Sequence, residues 1–354
     1  MDIEENIVNN FFSDDEVEDD IIREPLSIRK QDFENNKIIS LLQSNNIIKK
    51  EIICSKCYKK MNLVNSNETV DKKIWRCRGN SPIHDIKIGL RSGSIYENIR
   101  VPLNTIYYLT FFCFLKNLSI RRTKNEINNF CNIMGQSTPN EKTIIKIFRK
   151  LRNKIKIYHH KIWNQNLLGS EPEEDGKPRV EIDETELIGN SEKILWLFGI
   201  IDRSTKEARV FSVMDNRRKE NLIPLVVKNV HTETNSVFGI DFRTRVYSDC
   251  FSVYREQDFE GLGYLLHRVN HSIWFGRGLF HTNTIEGLWS CLKRLSKNFT
   301  GINFNTLKNI EKEGLSQSNY IDDWVCFCLF FRDIERKNYN ENEGKNYLVQ
   351  ILSD

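Results

Sequence analysis

Alternating apolar and polar residues predict a β-sheet in the second half of the chain. Strand-like runs cover residues 178–185, 194–202, 207–215 and 245–249, and a helical pattern covers residues 217–230. Asp183 closes the first run and Asp249 closes the last. Because open α/β sheets place ligands and chemistry at strand ends, these two aspartates are candidate functional residues.

The segment 281–293 has the pattern of a helix with one apolar face. Its apolar side consists of Ile285, Leu288, Leu292 and Leu295. Glu286 and Lys293 lie about two turns apart on the other side, beside Asn283. An ordinary solvent-exposed helix can also carry a single acidic residue. The segment is therefore a candidate functional site only in combination with the two aspartates.

The order of these elements is strand, strand, strand, helix, strand, helix or strand, helix. It predicts an α/β fold of the RNase H-like type, a mixed sheet flanked by helices, in which the two aspartates and Glu286 converge. We place this catalytic domain at residues 178–336, after a linker of residues 169–177. Residues 337–354 are taken as a C-terminal tail.

Cysteine spacing near the start of the folded region indicates a metal site. Cys54 and Cys57 form a Cys-x-x-Cys pair, Cys77 follows, and His84 is the nearest candidate for a fourth ligand. Thiolate and imidazole groups at this spacing suit tetrahedral zinc in a zinc-ribbon-like module, placed at residues 49–98. A second Cys-x-x-Cys is missing. Either His84 completes the site, or the ribbon has degenerated, or these are ordinary buried cysteines.

Two helical patterns, residues 119–130 and 140–157, have the layout of a helix-turn-helix. Gly135 can end the first helix, and a Ser-Thr pair can cap the second. The basic residues of the second helix are Lys142, Lys146, Arg149, Lys150 and Arg152. Many soluble helices look like this, but a position ahead of the predicted RNase H-like domain favours DNA binding by the helical region of residues 99–168.

Four stretches of the C-terminal half resemble the Merlin superfamily of DNA transposases and its bacterial insertion-sequence relatives, which have a DDE-type catalytic core. The matching stretches are residues 180–186, 247–254, 268–272 and 281–294. In the last of them the string His-Thr-Asn-Thr-Ile-Glu-x-x-Trp-x-x-x-Lys is specific, whereas Val-Glu-Ile-Asp-Glu-Thr in the first would be weak alone. The stretches follow the family's order and spacing.

The resemblance implies that Asp183, Asp249 and Glu286 are metal-binding catalytic acids, with Lys293 as the accompanying basic residue. Some relatives use an asparagine as the third group, which makes Asn283 a rival to Glu286. Glu286 is favoured because it supplies a charge that asparagine lacks. Two Mg²⁺ or Mn²⁺ ions held by hard carboxylate oxygens suit the reaction. Related transposases also carry a zinc ribbon with two Cys-x-x-Cys pairs, a pattern from which this sequence departs.

Charge is distributed unevenly along the 354 residues, although the net charge is only +4. The first 20 residues are acidic and contain no lysine or arginine, and we predict a disordered acidic segment over residues 1–48. Residues 121–161 are basic, which suits sequence-independent attraction to DNA phosphates.

The remaining composition bears on the compartment. An apolar run of about 18 residues and a signal-peptide pattern are both missing, so neither membrane insertion nor secretion is expected. The most apolar stretch, residues 106–115, predicts a buried helix. Nine scattered cysteines fit a reducing compartment. DNA processing would place the protein in the nucleus of a eukaryotic host, or in the cytoplasm or nucleoid of a bacterial one.

These features predict a DNA transposase that cleaves at terminal inverted repeats and joins the 3′ ends to target DNA by two-metal chemistry. Its expected partners are the repeat and target DNAs, on which it would act as a homo-oligomer. The alternative is a domesticated, transposase-derived DNA-binding protein with an idle catalytic centre. The joint presence of the three acids and Lys293 favours the enzyme.

Overall fold

Two compact units make up the chain in the computed structural model. The described residues are 29–80, 82–189, 194–214, 217–232, 243–270, 280–298 and 317–354. The first unit contains Met1–Ile155 and Lys337–Asp354, and the second contains Lys156–Arg336.

The described part of the first unit begins with a short 3-10 helix, Lys30–Phe33, and helix α1, Asn35–Ser44. The buried residues of α1 are Ile38, Ile39 and Leu42. The Phe33 ring packs against that of Phe130, with 5.0 Å between ring centroids. This contact ties the start of the described chain to the helices that follow.

Helical packing in this region corrects one prediction. The disorder predicted for residues 1–48 does not extend over residues 30–48, which form a helix and a buried turn. Residues 1–28 lie outside the described part of the chain. The acidic composition that suggested disorder belongs to the first 20 residues, whereas the later apolar residues recur at helical spacing.

A three-stranded antiparallel sheet follows in the first unit. Its strands are β1, Asn62–Asn65; β2, Lys73–Asn80; and β3, Ile83–Gly89. Gly79 on β2 lies opposite His84 on β3. Cys54 and Cys57 precede the sheet, on a turn closed by a bridge between Ile53 and Lys60.

Helices complete the first unit. Helix α2, Leu103–Tyr108, continues as a π-helical turn, Leu109–Phe114, and both are largely buried, as predicted. Helix α3, Ile120–Met134, ends at Gly135, whose φ of 66° lies in the left-handed region that favours glycine. Helix α4, Glu141–Gln165, follows.

The two units divide the chain differently from the domains predicted by the sequence. The first boundary falls at Ile155, inside α4, rather than at residue 168. Residues 337–354, predicted as a tail, contain the helix Glu341–Ser353 and belong to the first unit. A capping box between Asn340 and Glu343 fixes where that helix begins.

The second unit is built on a five-stranded mixed sheet. Its strands are β4, Arg179–Gly189; β5, Ile194–Asp202; β6, Ala208–Met214; β7, Arg245–Asp249; and β8, Leu265–Val269. Their order is β6-β5-β4-β7-β8. Strand β5 is antiparallel to β4 and β6, whereas β7 is parallel to β4 and β8. The four predicted strands are confirmed. Strand β8 forms at the position where the sequence pattern allowed either a helix or a strand.

Helices pack on both faces of this sheet. They are α5, Lys219–Asn229; α6, Glu256–Glu260; α7, Asn283–Asn298; and α8, Gln317–Arg336. On one face, Leu222 and Val226 of α5 share a core with Val180 and Ile182 of β4. On the other, α7 packs on β4 and β5, and α8 packs on β6 and α7. Among the described helices, none is both long and apolar enough to cross a membrane.

Candidate functional site

Asp183 and Asp249 lie side by side on the face of the sheet that α7 covers. Strands β4 and β7 are parallel neighbours, and their register pairs Glu181 with Tyr247. Asp183 and Asp249 are each two residues further along, so their side chains leave adjacent strands on the same face. Both aspartates are half-buried.

Trp289 of α7 contacts Asp183 directly. Its indole N–H donates a hydrogen bond of 2.9 Å to Oδ2 of Asp183. The ring reaches this position across Gly199, the cross-strand partner of Asp183 on β5. A Cβ at position 199 would lie 2.5 Å from the tryptophan ring and 3.3 Å from the Ile285 side chain. Glycine at 199 therefore lets α7 approach closely enough to hold the aspartate.

We expect Gly199→Ala to lower the free energy of unfolding by about 1–3 kcal/mol, because the added methyl group overpacks the contact with Trp289. Urea denaturation of the full-length protein measures the change. Gly287→Ala on α7 is the matched control, since none of the described atoms lies within 4 Å of its added Cβ. That variant should be neutral or slightly stabilising. Equal stability of Gly199→Ala and wild type would contradict this packing.

A third acid, Glu286, contributes to the electrostatics of Asp183. The pKa of Asp183 is raised to about 6, chiefly by burial, and the charges of Asp249 and Glu286 act in the same direction. The indole N–H of Trp289 and the backbone N–H of Glu184 lower this pKa, because they bond to the ionised carboxylate. A bound cation would relieve the repulsion among the three carboxylates.

The predicted residues of α7 share its exposed side. Asn283, Glu286 and Lys293 are all exposed, and the Thr282 hydroxyl donates to Oε1 of Glu286 at 3.1 Å. Within the described ranges, the carboxylate oxygens of Asp183, Asp249 and Glu286 do not all lie within 4.8 Å of one another. The charge of Glu286 acts on Asp183, but within the described residues the three acids do not form one coordination sphere. His271, in the matching stretch 268–272, lies outside the described residues.

Glu181 is a buried carboxylate that sequence reasoning did not select. Its Oε2 accepts a hydrogen bond of 2.8 Å from the backbone N–H of Ile285, 104 residues away. Its Oε1 accepts one of 2.6 Å from Nε of Arg203, and His281 Nδ1 lies 3.3 Å from the same oxygen. The first amides of a helix lack partners within the helix. Glu181 supplies one from the sheet and so fixes where α7 begins.

Arg203 contacts both the start of α7 and strand β7. It is buried, and it also donates to the carbonyl oxygen of His281, just before α7. Its guanidinium carbon lies 3.9 Å from the centre of the Tyr247 ring, on the strand that carries Asp249. The residues that hold the start of α7 therefore contact both aspartate-bearing strands.

Glu184 is a second buried carboxyl that the sequence did not single out. By the alternation of β4 it lies on the face opposite Asp183. The pKa of Glu184 is raised to about 8, chiefly by burial and also by the charges of Asp183 and Asp249, while the charge of Arg217 acts in the opposite direction. The Arg217 guanidinium is 4.0 Å from the carboxylate and 3.5 Å from the centre of the Trp196 ring. Glu184 is thus mostly protonated at neutral pH.

Cys54, Cys57, Cys77 and His84 form a cluster in the first unit, with all four ligand atoms within 4.8 Å of one another. His84 Nε2 lies 3.5 Å from the Cys54 sulfur and 3.3 Å from the Cys77 sulfur, which is 3.5 Å from that of Cys57. Tetrahedral zinc at ordinary bond lengths separates such atoms by about 3.5–3.8 Å. The cluster can bind zinc, with His84 in the predicted fourth position.

Neighbouring groups orient the His84 ring and lower the pKa of Cys54, and both effects favour zinc binding. His84 Nδ1 lies 2.7 Å from the carbonyl oxygen of Pro82, so a proton on Nδ1 leaves Nε2 to face the sulfurs. A Cβ at Gly79, across the strand pair, would overlap the His84 ring. Burial raises the pKa of the Cys54 thiol, but hydrogen bonds from the Cys57 and Lys56 backbone amides and the neighbouring thiols bring it down to about 7.

The comparisons with known proteins assign no family. No protein-family model matches the chain, and no curated protein matches it. A chain of the cryo-EM structure of the simian T-cell lymphotropic virus intasome in complex with PP2A regulatory subunit B56 gamma aligns with 13% identity and a TM-score of 0.25, over 53% of this chain and 57% of that chain. A TM-score this low establishes no common fold. The Merlin resemblance therefore stays an inference from motifs.

Proposed function

We propose that the chain is a Merlin-type DNA transposase whose second unit has an RNase H-like core. The observation that carries the proposal is the placement of Asp183 and Asp249 on adjacent parallel strands, where the charge of Glu286 also acts on Asp183. The described elements of this unit follow the order strand, strand, strand, helix, strand, helix, strand, helix, which is consistent with such a core.

In the proposed centre Asp183, Asp249 and Glu286 hold Mg²⁺ or Mn²⁺ through hard carboxylate oxygens. Such ions, when bound, activate water or a DNA 3′-hydroxyl and stabilise charge on the leaving oxygen. Trp289 orients Asp183, and Glu181 fixes the first turn of the helix that carries Glu286. The Glu286 side chain is exposed and has three rotatable bonds, and its carboxylate is proposed to turn toward the aspartates when the ions bind.

Glu286 is the preferred third ligand, with Asn283 as its rival. Its charge reaches Asp183 and raises the pKa of that carboxyl, an effect that an uncharged amide at 283 would not have. Lys293, about two turns further along the same helix, is proposed to contact a DNA phosphate or the end of the transferred strand.

The first unit is proposed to bind transposon ends, with a structural zinc at the Cys3His cluster. Lys142, Lys146 and Arg149 are exposed on α4, as a phosphate-binding face requires. Lys150 is less suited, because its ammonium donates to the backbone carbonyls of Ile95 and Glu97 at 3.1 and 3.2 Å. The proposal includes a homo-oligomer on DNA, and nuclear location in a eukaryotic host.

A strand-transfer assay tests the proposal. With a duplex that carries the terminal repeat flanking the encoding locus, the full-length protein and Mg²⁺ should give covalently joined products. Ca²⁺ should support binding but little chemistry, because its longer and looser coordination positions the reacting oxygens poorly. Tight binding of these ends with neither nicks nor joined products in Mg²⁺ or Mn²⁺ would reject the transposase and favour the idle DNA-binding protein.

A further inference from the structure

A second cluster of side chains that could ligate a metal ion lies in the second unit, and it includes none of Asp183, Asp249 and Glu286. His160 on the last turns of α4, and Asp322 and Cys326 on α8, have ligand atoms that all lie within 4.8 Å of one another. Asp322 and Cys326 are four residues apart on one helix, so they share a face. The functions proposed above make no use of this cluster.

The distances within the cluster are close to those of a metal site. His160 Nε2 is 2.9 Å from Oδ2 of Asp322, and the Cys326 sulfur is 3.7 Å from Oδ1 of the same carboxylate. Around a tetrahedral zinc ion, sulfur, nitrogen and oxygen ligands are separated by about 3.3–3.6 Å. Small side-chain rotations would therefore place all three atoms around one ion.

The surroundings leave one side of the cluster open. Cys326 is buried, while His160 and Asp322 line a cavity of ≈ 590 Å³ whose wall also includes Lys156 and Asn164. Lys156 pairs with the neighbouring acid, Asp323, at 2.6 Å, which offsets its positive charge near the cluster. Three protein ligands on one side and a solvent-accessible cavity on the other resemble a zinc site with an exchangeable fourth position.

We propose that His160, Asp322 and Cys326 bind a divalent transition-metal ion, zinc foremost, with the fourth position open to the cavity. A thiolate and an imidazole select borderline and soft metals over Mg²⁺, so this site is distinct in chemistry from the proposed carboxylate centre. It is also distinct in residues from the Cys3His cluster. The simpler interpretation of the cluster is an ion pair between His160 and Asp322 beside a buried thiol. The metal site and the ion pair differ in whether Cys326 bonds a metal.

Cobalt titration separates the two interpretations. Full-length protein loaded with one equivalent of zinc per chain, which the four-ligand Cys3His cluster should take up first, is titrated with Co²⁺, and the thiolate-to-cobalt charge-transfer absorption is recorded. We expect about one further equivalent of Co²⁺ with this band, and its loss in both His160→Ala and Cys326→Ser. Cys250→Ser, at an exposed cysteine, is the control and should keep the band.

Two results would overturn the second site. One is Co²⁺ uptake without a thiolate band, and the other is an unchanged band in His160→Ala. Because His160 is partly exposed, that variant remains informative if Cys326→Ser fails to fold. His84→Ala should affect only the metal at the Cys3His cluster, so failure of one site is distinguishable from failure of the other.

Discussion

Asp183→Asn and Asp249→Asn are each expected to reduce metal-dependent DNA cleavage by about a thousandfold or more, while the fold and DNA binding persist. Loss of a metal-bridging charge removes several kcal/mol of transition-state stabilisation, and each factor of ten in rate corresponds to about 1.4 kcal/mol. Cleavage of an end-labelled repeat duplex in Mg²⁺ measures the effect. Glu220→Gln, an exposed acid on α5, is the matched control and should cleave normally. Normal cleavage by either aspartate variant would remove that residue from the centre.

The same assay decides the third ligand. Glu286→Gln should be as defective as the aspartate variants, whereas Asn283→Ala should retain most activity. The reverse result, active Glu286→Gln and inactive Asn283→Ala, would assign the third position to Asn283.

Cys54→Ser and Cys77→Ser are expected to lose bound zinc and with it the ordered structure of residues 49–98. In so small a module the metal-binding free energy is folding free energy, on the order of 10 kcal/mol. Elemental analysis of protein prepared without chelator gives the zinc content, and limited proteolysis reports the loss of structure. Cys250→Ser, whose side chain is exposed, should retain zinc and resist proteolysis like wild type. Wild-type protein that contains no zinc would end this interpretation, whereas zinc retained by His84→Ala would remove His84 alone.

The strands, and the positions of the two aspartates on them, can be predicted from sequence alone because both depend on local patterns. Period-two alternation predicts β4 and β7, and strand direction then follows from the intervening elements. Gly135 ends its helix for an equally local reason, since its left-handed φ suits glycine.

Local patterns do not predict the role of Glu181, because that role depends on residues distant in sequence. In the β4 pattern it is simply a polar position, two residues before Asp183 and on the same face. Its burial is made possible by Arg203 and by the Ile285 amide, neither of which is near it in sequence. A polar residue that shares a strand face with a candidate acid was the available signal, but it could not identify the partners.

The same limit applies to Gly199 and to the cysteine–histidine cluster. Gly199 reads as an ordinary strand residue until Trp289 is placed above it. His84 was the nearest available ligand in sequence, but its orientation depends on the Pro82 carbonyl and on the space above Gly79. Cross-strand register, which the sequence did not provide, decides both.

In the proposed centre, Asp183, Asp249 and Glu286 together hold the catalytic metal ions. Anomalous diffraction from crystals of the full-length protein soaked in Mn²⁺ tests it most directly. We expect an anomalous peak about 2–2.5 Å from carboxylate oxygens of Asp183 and Asp249, with Glu286 turned toward it, and its loss in Asp183→Asn crystals. Well-ordered aspartates without manganese beside them at saturating concentration would contradict the claim.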